Sequence, residues 1–451
     1  MTGVKEPCML VVSDQQMLRA GNQLLFRALE GYLKAGFKVV FLSPATDDPN
    51  LADEKDLFGD LAGRLTVVRA ATPRLLGGIP GYIKSIIARP AAQKRDDTVV
   101  EGFPPPPEEI IPFKAALEGG RLLRKLNYAG MSKNFLNKAL NLAKTHKFDI
   151  VCGYEVMAIP AARKAADLLN LPFFTRYQGT FLKKALEKGR AQELYPLHLA
   201  GTRIPADLCV MENDGTGGKE VLQALGHDPD RILFMVDGVG KNISRPQINR
   251  QEVYEPYGVR FNERSKFILM LSKLSPWKRH DRLIGAMPAI LKRYPDAWLI
   301  IAHRGPMRAA LEAYSKHIGV DHRVIFTGPV PHREVYNFLN ACDFYVNCND
   351  WSNLSNTVLE ALVCGKPVLS IDDGSLDGVI SDGENGSLAP LETLGQELPA
   401  KALQLLTDDD YYFRLCQGAR DFAQNKLYSW DHRMAIEVER IFEIMGKPSG
   451  S

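Results

Sequence analysis

Two stretches decide the reading: "LSKLSPWKRHDRLI" (residues 271–284) and "SNLSNTVLEALVCGKPVLS" (residues 352–370). The first leaves an apolar run at 267–272 that reads as a buried strand, then turns through Pro276 into an amphipathic helix. Lys273 and Lys278 stand in that turn. The second stretch follows another apolar run at 344–348, crosses a polar loop and opens a helix at Asn356 and Thr357. A helix start presents backbone N–H groups without intrahelical partners at the positive end of the helix dipole. Lysines on a neighbouring strand-to-helix loop add full positive charge, and the combination suits a diphosphate. Glu360, one turn into the second helix, stands where a carboxylate would accept hydrogen bonds from a ribose diol. The pair of loops therefore points to a nucleoside diphosphate.

Working outward, short apolar runs alternate with amphipathic helices along the chain, the pattern of parallel α/β sheets. Strands are expected at 9–13, 38–43, 65–69, 149–152, 172–176, 208–211 and 232–236. A second set is expected at 267–272, 298–302, 324–327, 344–348 and 367–371. Between the sets, residues 237–264 carry Pro246 and Pro256 and few apolar residues, and read as a linker. The fold class is α/β: two Rossmann-like domains with parallel sheets facing across a cleft, residues 1–245 and 246–428. Open sheets of this kind bind ligands beyond the carboxyl ends of their strands.

Composition sets limits on function. With 451 residues, 45% hydrophobic and 24% charged, the chain can bury two cores. Its 56 basic and 53 acidic residues nearly balance, so no nucleic-acid partner is implied. Seven cysteines without CxxC or finger spacing read as reduced thiols, which favours a cytoplasmic protein. No basic flank precedes an apolar run at the N-terminus, so no signal peptide is expected, and no apolar run is long enough to span a membrane.

The arrangement resembles the retaining, metal-independent glycosyltransferases of the GT-B fold, glycosyltransferase family 4. There an Arg/Lys pair grips the donor diphosphate and a Glu-x7-Glu segment holds sugar and ribose. On this chain Lys273 stands where the family usually has Arg, and Lys278 matches the Lys. Glu360 matches the second Glu, within "LEALVCGKPV", while Ser352 occupies the position of the first. The likeness is strongest over residues 265–390. It implies transfer of a sugar from a nucleotide-diphosphate donor, such as a UDP- or GDP-sugar, to a hydroxyl acceptor, with no other cofactor and no metal. It also implies that the last helix, in residues 429–451, crosses back onto the first domain.

The resemblance assigns further residues. The loop of Ser352, Asn353, Leu354, Ser355, Asn356 and Thr357 is expected to supply donors to the β-phosphate, and His303 closes a strand-end loop within reach of the donor. In the first domain, Gly21 lies at a helix mouth where family members carry a Gly-rich phosphate loop. Gln178, in "RYQGT", takes the place of a family His near the reacting sugar. Gln hydrogen-bonds but does not titrate, and a front-face reaction in which the leaving phosphate takes the acceptor proton needs no protein base. Lys278, Lys273 and Gln178 are the residues expected at the reacting centre. Asp372 and Asp373 read as turn and cap residues, and no histidine has zinc-ligand spacing.

Residues 74–95 mix apolar side chains with five basic ones, a composition that suits an interfacial helix, peripheral membrane contact and a lipid-linked acceptor. Two rivals stay open: a sugar-nucleotide epimerase or phosphorylase on the same fold, and a non-catalytic glycosyltransferase-like partner protein in which Ser352 and Gln178 mark a decayed site.

Overall fold

The computed structural model describes residues 6–16, 23–45, 54–71, 119–240 and 248–446. The apolar runs form two sheets in which every pairing is parallel. The first sheet holds β1 (Cys8–Ser13), β2 (Lys38–Pro44), β3 (Leu65–Ala70), β4 (Ile150–Tyr154), β5 (Phe173–Tyr177), β6 (Leu208–Glu212) and β7 (Ile232–Met235), in the spatial order β3-β2-β1-β4-β5-β6-β7. The second holds β8 (Lys266–Leu271), β9 (Ala297–Ala302), β10 (Val324–Gly328), β11 (Phe344–Asn347), β12 (Val368–Asp372) and β13 (Gly386–Pro390), in the order β10-β9-β8-β11-β12-β13. Strands such as β8 (KFILML) and β9 (AWLIIA) are apolar almost throughout because helices cover both faces of a parallel sheet. In each sheet the winding reverses once, between β1 and β4 and between β8 and β11. This is the GT-B pair of Rossmann-like sheets.

The described residues up to Gly238 and from Trp430 onward form one compact unit; Val239–Ser429 form the second. In the first unit the helix Trp430–Ile444 lies against the helix Gln23–Lys34. Gly31 permits that approach, since a Cβ there would meet the Met434 side chain at 2.7 Å. Phe37 stacks on Phe442 at 5.1 Å. Charge locks the contact from below. Arg176, on β5, pairs with Glu212 at 2.8 Å and with Glu437 at 3.2 Å, all three fully or almost fully buried. Glu437 also pairs with Arg433 and accepts from the Tyr32 hydroxyl. Desolvation alone would push the Glu437 carboxyl up, but Arg176 and Arg433 outweigh it and hold it below its ordinary range.

The stretch expected as a linker is partly built into the second unit. Asn249 caps a short helix, Arg250–Tyr254, by accepting from the Gln251 N–H at 3.0 Å. Tyr254 is fully buried, 4.5 Å from the Phe267 ring, and Arg250 reaches Asp343 at 3.0 Å. A few aromatic anchors suffice where the average composition looks polar. Strand β13 was not expected, because its sequence GSLAP is short and bounded by Gly and Pro.

Candidate donor site at the reversal point of the second sheet

Strands β8 and β11 are neighbours, with Phe344 opposite Ile268 and Tyr345 opposite Leu269. The loops leaving them therefore emerge side by side at the point where open α/β sheets receive ligands. The loop after β8 tightens at Pro276–Lys278 into one 3-10 turn, and Arg279 takes a left-handed conformation (φ 49°) to start the helix His280–Arg293. The loop after β11 runs to Ser355, where the helix Asn356–Val363 begins.

These loops are fastened to each other. The Asp350 N–H donates to the Trp277 carbonyl at 2.9 Å. The Asp350 carboxylate takes Arg279 at 3.1 Å and Arg282 at 3.0 Å, while Arg282 also donates to the Cys348 carbonyl at 2.8 Å. Asp281 completes the pairing of Arg279 at 2.8 Å. Trp277 and Trp351 stack at 6.3 Å with 19° between ring planes.

Inside the second loop, Asn353 is the hub. Fully buried, it accepts the Asn349 N–H at 2.7 Å and donates to Asp373 at 3.0 Å, and its own N–H donates to Ser375 Oγ at 2.8 Å. Asp373 thus does turn work and also pins the loop. Ser352 Oγ accepts the Leu354 N–H at 3.2 Å. Leu354 is buried in the wall. The buried Tyr345 hydroxyl donates to the Leu271 carbonyl at 3.4 Å. Ser355 offers no side-chain cap, and the N–H groups of Asn356 and Thr357 meet no acceptor among the described residues. Two donors at the positive end of the helix are left for an anion.

The charges around them are unusual. Lys278 is mostly buried and forms no ion pair among the described residues; burial lowers its pKa to about 8. Glu360 is buried, accepts from the Tyr336 hydroxyl at 3.0 Å, and is raised by burial, against that hydrogen bond, to about 7. His280 is pressed down to about 3 by burial, so its imidazole stays neutral beside Ser272, 3.2 Å away. Lys273 is exposed. His303 follows β9 with φ 132°, and its N–H donates to the Gly328 carbonyl at 2.8 Å. Next to it, Gly305 is required: a Cβ there would lie 2.2 Å from the Leu274 carbonyl oxygen.

The second unit thus gathers Lys273, Lys278, His303, the residues from Ser352 to Thr357 and Glu360 at the carboxyl ends of three adjacent strands, β9, β8 and β11. Gln178 lies in the first unit, after β5, where its N–H donates to Glu155 at 2.7 Å and its side chain donates to the Tyr154 hydroxyl at 2.7 Å. Gly21 and residues 74–95 lie outside the described residues. Sequence reasoning missed Arg279, Arg282, Asp350 and Tyr336, since no fixed spacing links Asp350 to the two arginines. Among the described residues no group of three or more His, Cys, Asp or Glu could hold a metal ion, and no helix is long and apolar enough to cross a membrane.

Residues 257–422 match the family model described as glycosyl transferases group 1. The matched stretch lies wholly within the second unit. It is similar to an uncharacterized glycosyltransferase of Methanocaldococcus jannaschii, 23% identical over 83% of this chain and 97% of the relative. It is also similar to the D-inositol 3-phosphate glycosyltransferase of Corynebacterium diphtheriae, 24% identical over 74% of this chain and 82% of that one. Among solved structures, Anabaena HepE in complex with UDP-glucose superimposes with a TM-score of 0.66, at 15% identity, over 96% of this chain and 99% of that chain. The group 1 match covers all the loops of the second unit described above, and the chain is a glycosyltransferase.

Proposed function

We propose that this chain is a group 1 glycosyltransferase of the retaining, metal-independent kind, which moves a sugar from a UDP- or GDP-sugar to a hydroxyl acceptor. The observation that carries the reading is Lys278: a largely buried ammonium that has no carboxylate partner among the described residues, on a loop fastened beside two helix N–H groups that meet no acceptor among them, is a site short of one anion. A diphosphate supplies it. Glu360 then accepts from the ribose diol, with Tyr336 orienting its carboxylate. As the bond from the sugar's anomeric carbon to the β-phosphate oxygen breaks, negative charge grows on that oxygen, and Lys278, Lys273 and the N–H groups of Asn356 and Thr357 stabilise it more in the transition state than before. The acceptor oxygen bonds to the same face of the anomeric carbon and its proton passes to the leaving phosphate oxygen, so no metal and no protein base takes part.

The acceptor side is proposed to act in the cytoplasm, with the basic and apolar residues 74–95 resting on a membrane face that offers a lipid-linked hydroxyl. Liposome flotation checks that part; loss of flotation on acidic vesicles would remove it. The donor reading is tested by thermal-shift titration with UDP, GDP and ADP, with and without magnesium, on the wild type and Lys278→Ala. A ligand that binds only the folded state raises the melting temperature. A shift by one nucleotide, indifferent to magnesium and absent in the variant, is the expected result. No shift with any of the three would leave the decayed-site alternative standing instead.

A further inference from the structure

The donor-site reading leaves one part of the donor without a holder. Nucleoside and diphosphate are provided for by Glu360, Lys278 and the helix N-terminus, but Ser352 stands where a carboxylate was expected to bind the sugar. Its hydroxyl is engaged locally, accepting the Leu354 N–H at 3.2 Å and lying 3.4 Å from the Leu354 carbonyl. Asn353 is fully buried and spent on the loop itself.

Beside Ser352 stands Trp351, 47% exposed, an unusual exposure for so large an apolar side chain. It stacks on Trp277, which neighbours Lys278, at 6.3 Å and 19°. The two turns are already held together by the Asp350 N–H on the Trp277 carbonyl and by Asp350 on Arg279 and Arg282. The indole pair is thus not the sole fastening; it is a flat apolar surface kept rigid by a polar frame.

The direction of the donor fits it. With the diphosphate at the helix N-terminus and the ribose one turn in, at Glu360, the sugar extends the other way, toward the loop that precedes the helix. Trp351 is in that loop. A pyranose ring carries a face of C–H groups, and the electron-rich face of an indole attracts the positive edge such a face presents. Resting on the donor-site reading above, we infer that Trp351, backed by Trp277, is the sugar-positioning residue of this site: it stacks on the C–H face of the donor hexose and takes over the orienting role of the missing carboxylate.

The test compares nucleotide with nucleotide-sugar. Calorimetric titrations of UDP and UDP-glucose, and of GDP and GDP-mannose, are run on the wild type, Trp351→Ala and Trp351→Met, with melting curves to confirm folding. Methionine keeps the apolar bulk without the flat ring, so it reads the same effect if alanine fails to fold. The expected result is free nucleotide affinity within about two-fold of wild type and nucleotide-sugar affinity about five- to ten-fold weaker, the size expected of one lost aromatic contact. Adding Ser352→Glu to Trp351→Ala should recover most of that loss. Equal weakening of nucleotide and nucleotide-sugar, or no change in either, overturns the inference while leaving the donor site intact. Failure of the wild type to bind any of the four ligands refutes the donor site, and this inference with it.

Discussion

The Asp350 N–H donates to the Trp277 carbonyl at 2.9 Å, and through that bond the loop after β11 hangs on the turn after β8. The side chain of the same residue takes Arg279 and Arg282, the latter almost entirely buried. Truncating Asp350 leaves Arg282 with one carbonyl and no counter-charge. Removing one partner of a buried pair costs more than the pair was worth, because the other charge stays behind. Asp350→Ala should therefore cost about 3 kcal/mol in the second unit's stability. Denaturant melts measure it; a loss below about 1 kcal/mol would mean that Asp281 alone satisfies both arginines.

Lys278 predicts the opposite sign. Its folded pKa of about 8 lies below the ordinary value of 10.5, so between those limits the unfolded chain binds more protons than the native one. The ammonium thus weakens the fold at neutral pH, and the cost is relieved as pH climbs from about 8 toward 10.5. Lys278→Met, removing the charge and keeping the stem, should stabilise the free protein by about 1–2 kcal/mol at pH 7, with the gain fading in alkali. The same variant should lose its melting response to nucleotide. A destabilised Lys278→Met at pH 7 would show that the ammonium has a partner of its own.

How much of this could be read in the chain depended on how local the cause was. The strands from β1 to β12 announce themselves as apolar runs and were placed within one or two residues, and the helix start at Asn356 follows from the polar loop before it. Strand β13 escaped because Leu388 is the only large apolar residue in GSLAP, and its strand character comes from pairing beside β12. Lys278 and Glu360 were visible because family-like segments surround them. Asn353 was grouped with the donor-binding loop, but only the fold reveals that its side chain is enclosed. The pairing of Arg176 with Glu437 joins residues 261 positions apart, and no periodicity or spacing carries such a contact.

That distant pairing is itself open to experiment. Glu437 is the counter-charge shared by Arg176 and Arg433, all three fully buried. Glu437→Gln keeps the shape and removes the charge, leaving two guanidinium groups short of one carboxylate. The loss should be about 3–5 kcal/mol, read as a lower melting temperature of the first unit. The carboxyl is held below its ordinary value, so its contribution is present above the unfolded value of about 4.5 and is lost as pH falls through the folded one. The gap between wild type and variant should accordingly narrow in acid. A gap that is constant from pH 7 downward would place the effect in packing rather than charge.

Nucleotide affinity should pass through a narrow maximum in pH. Burial raises Glu360 to about 7, so below that value the side chain is protonated and cannot offer a full carboxylate to a ribose diol. Affinity should rise as pH passes about 7. Lys278 begins to lose its proton at about 8, and with it the charge that meets the diphosphate, so affinity should fall beyond that point. The two limbs belong to different residues and can be removed separately. Glu360→Gln should flatten the acid limb at a lower overall affinity, and Lys278→Arg, charged at every accessible pH, should remove the alkaline one. The ligand's own phosphate ionisation, near a pH of about 6, acts on all variants alike and cancels in the comparison. Titrations of UDP or GDP from pH 5.5 to 9.5 measure the profile. An alkaline limb that persists in Lys278→Arg would assign it to another group and take Lys278 off the diphosphate.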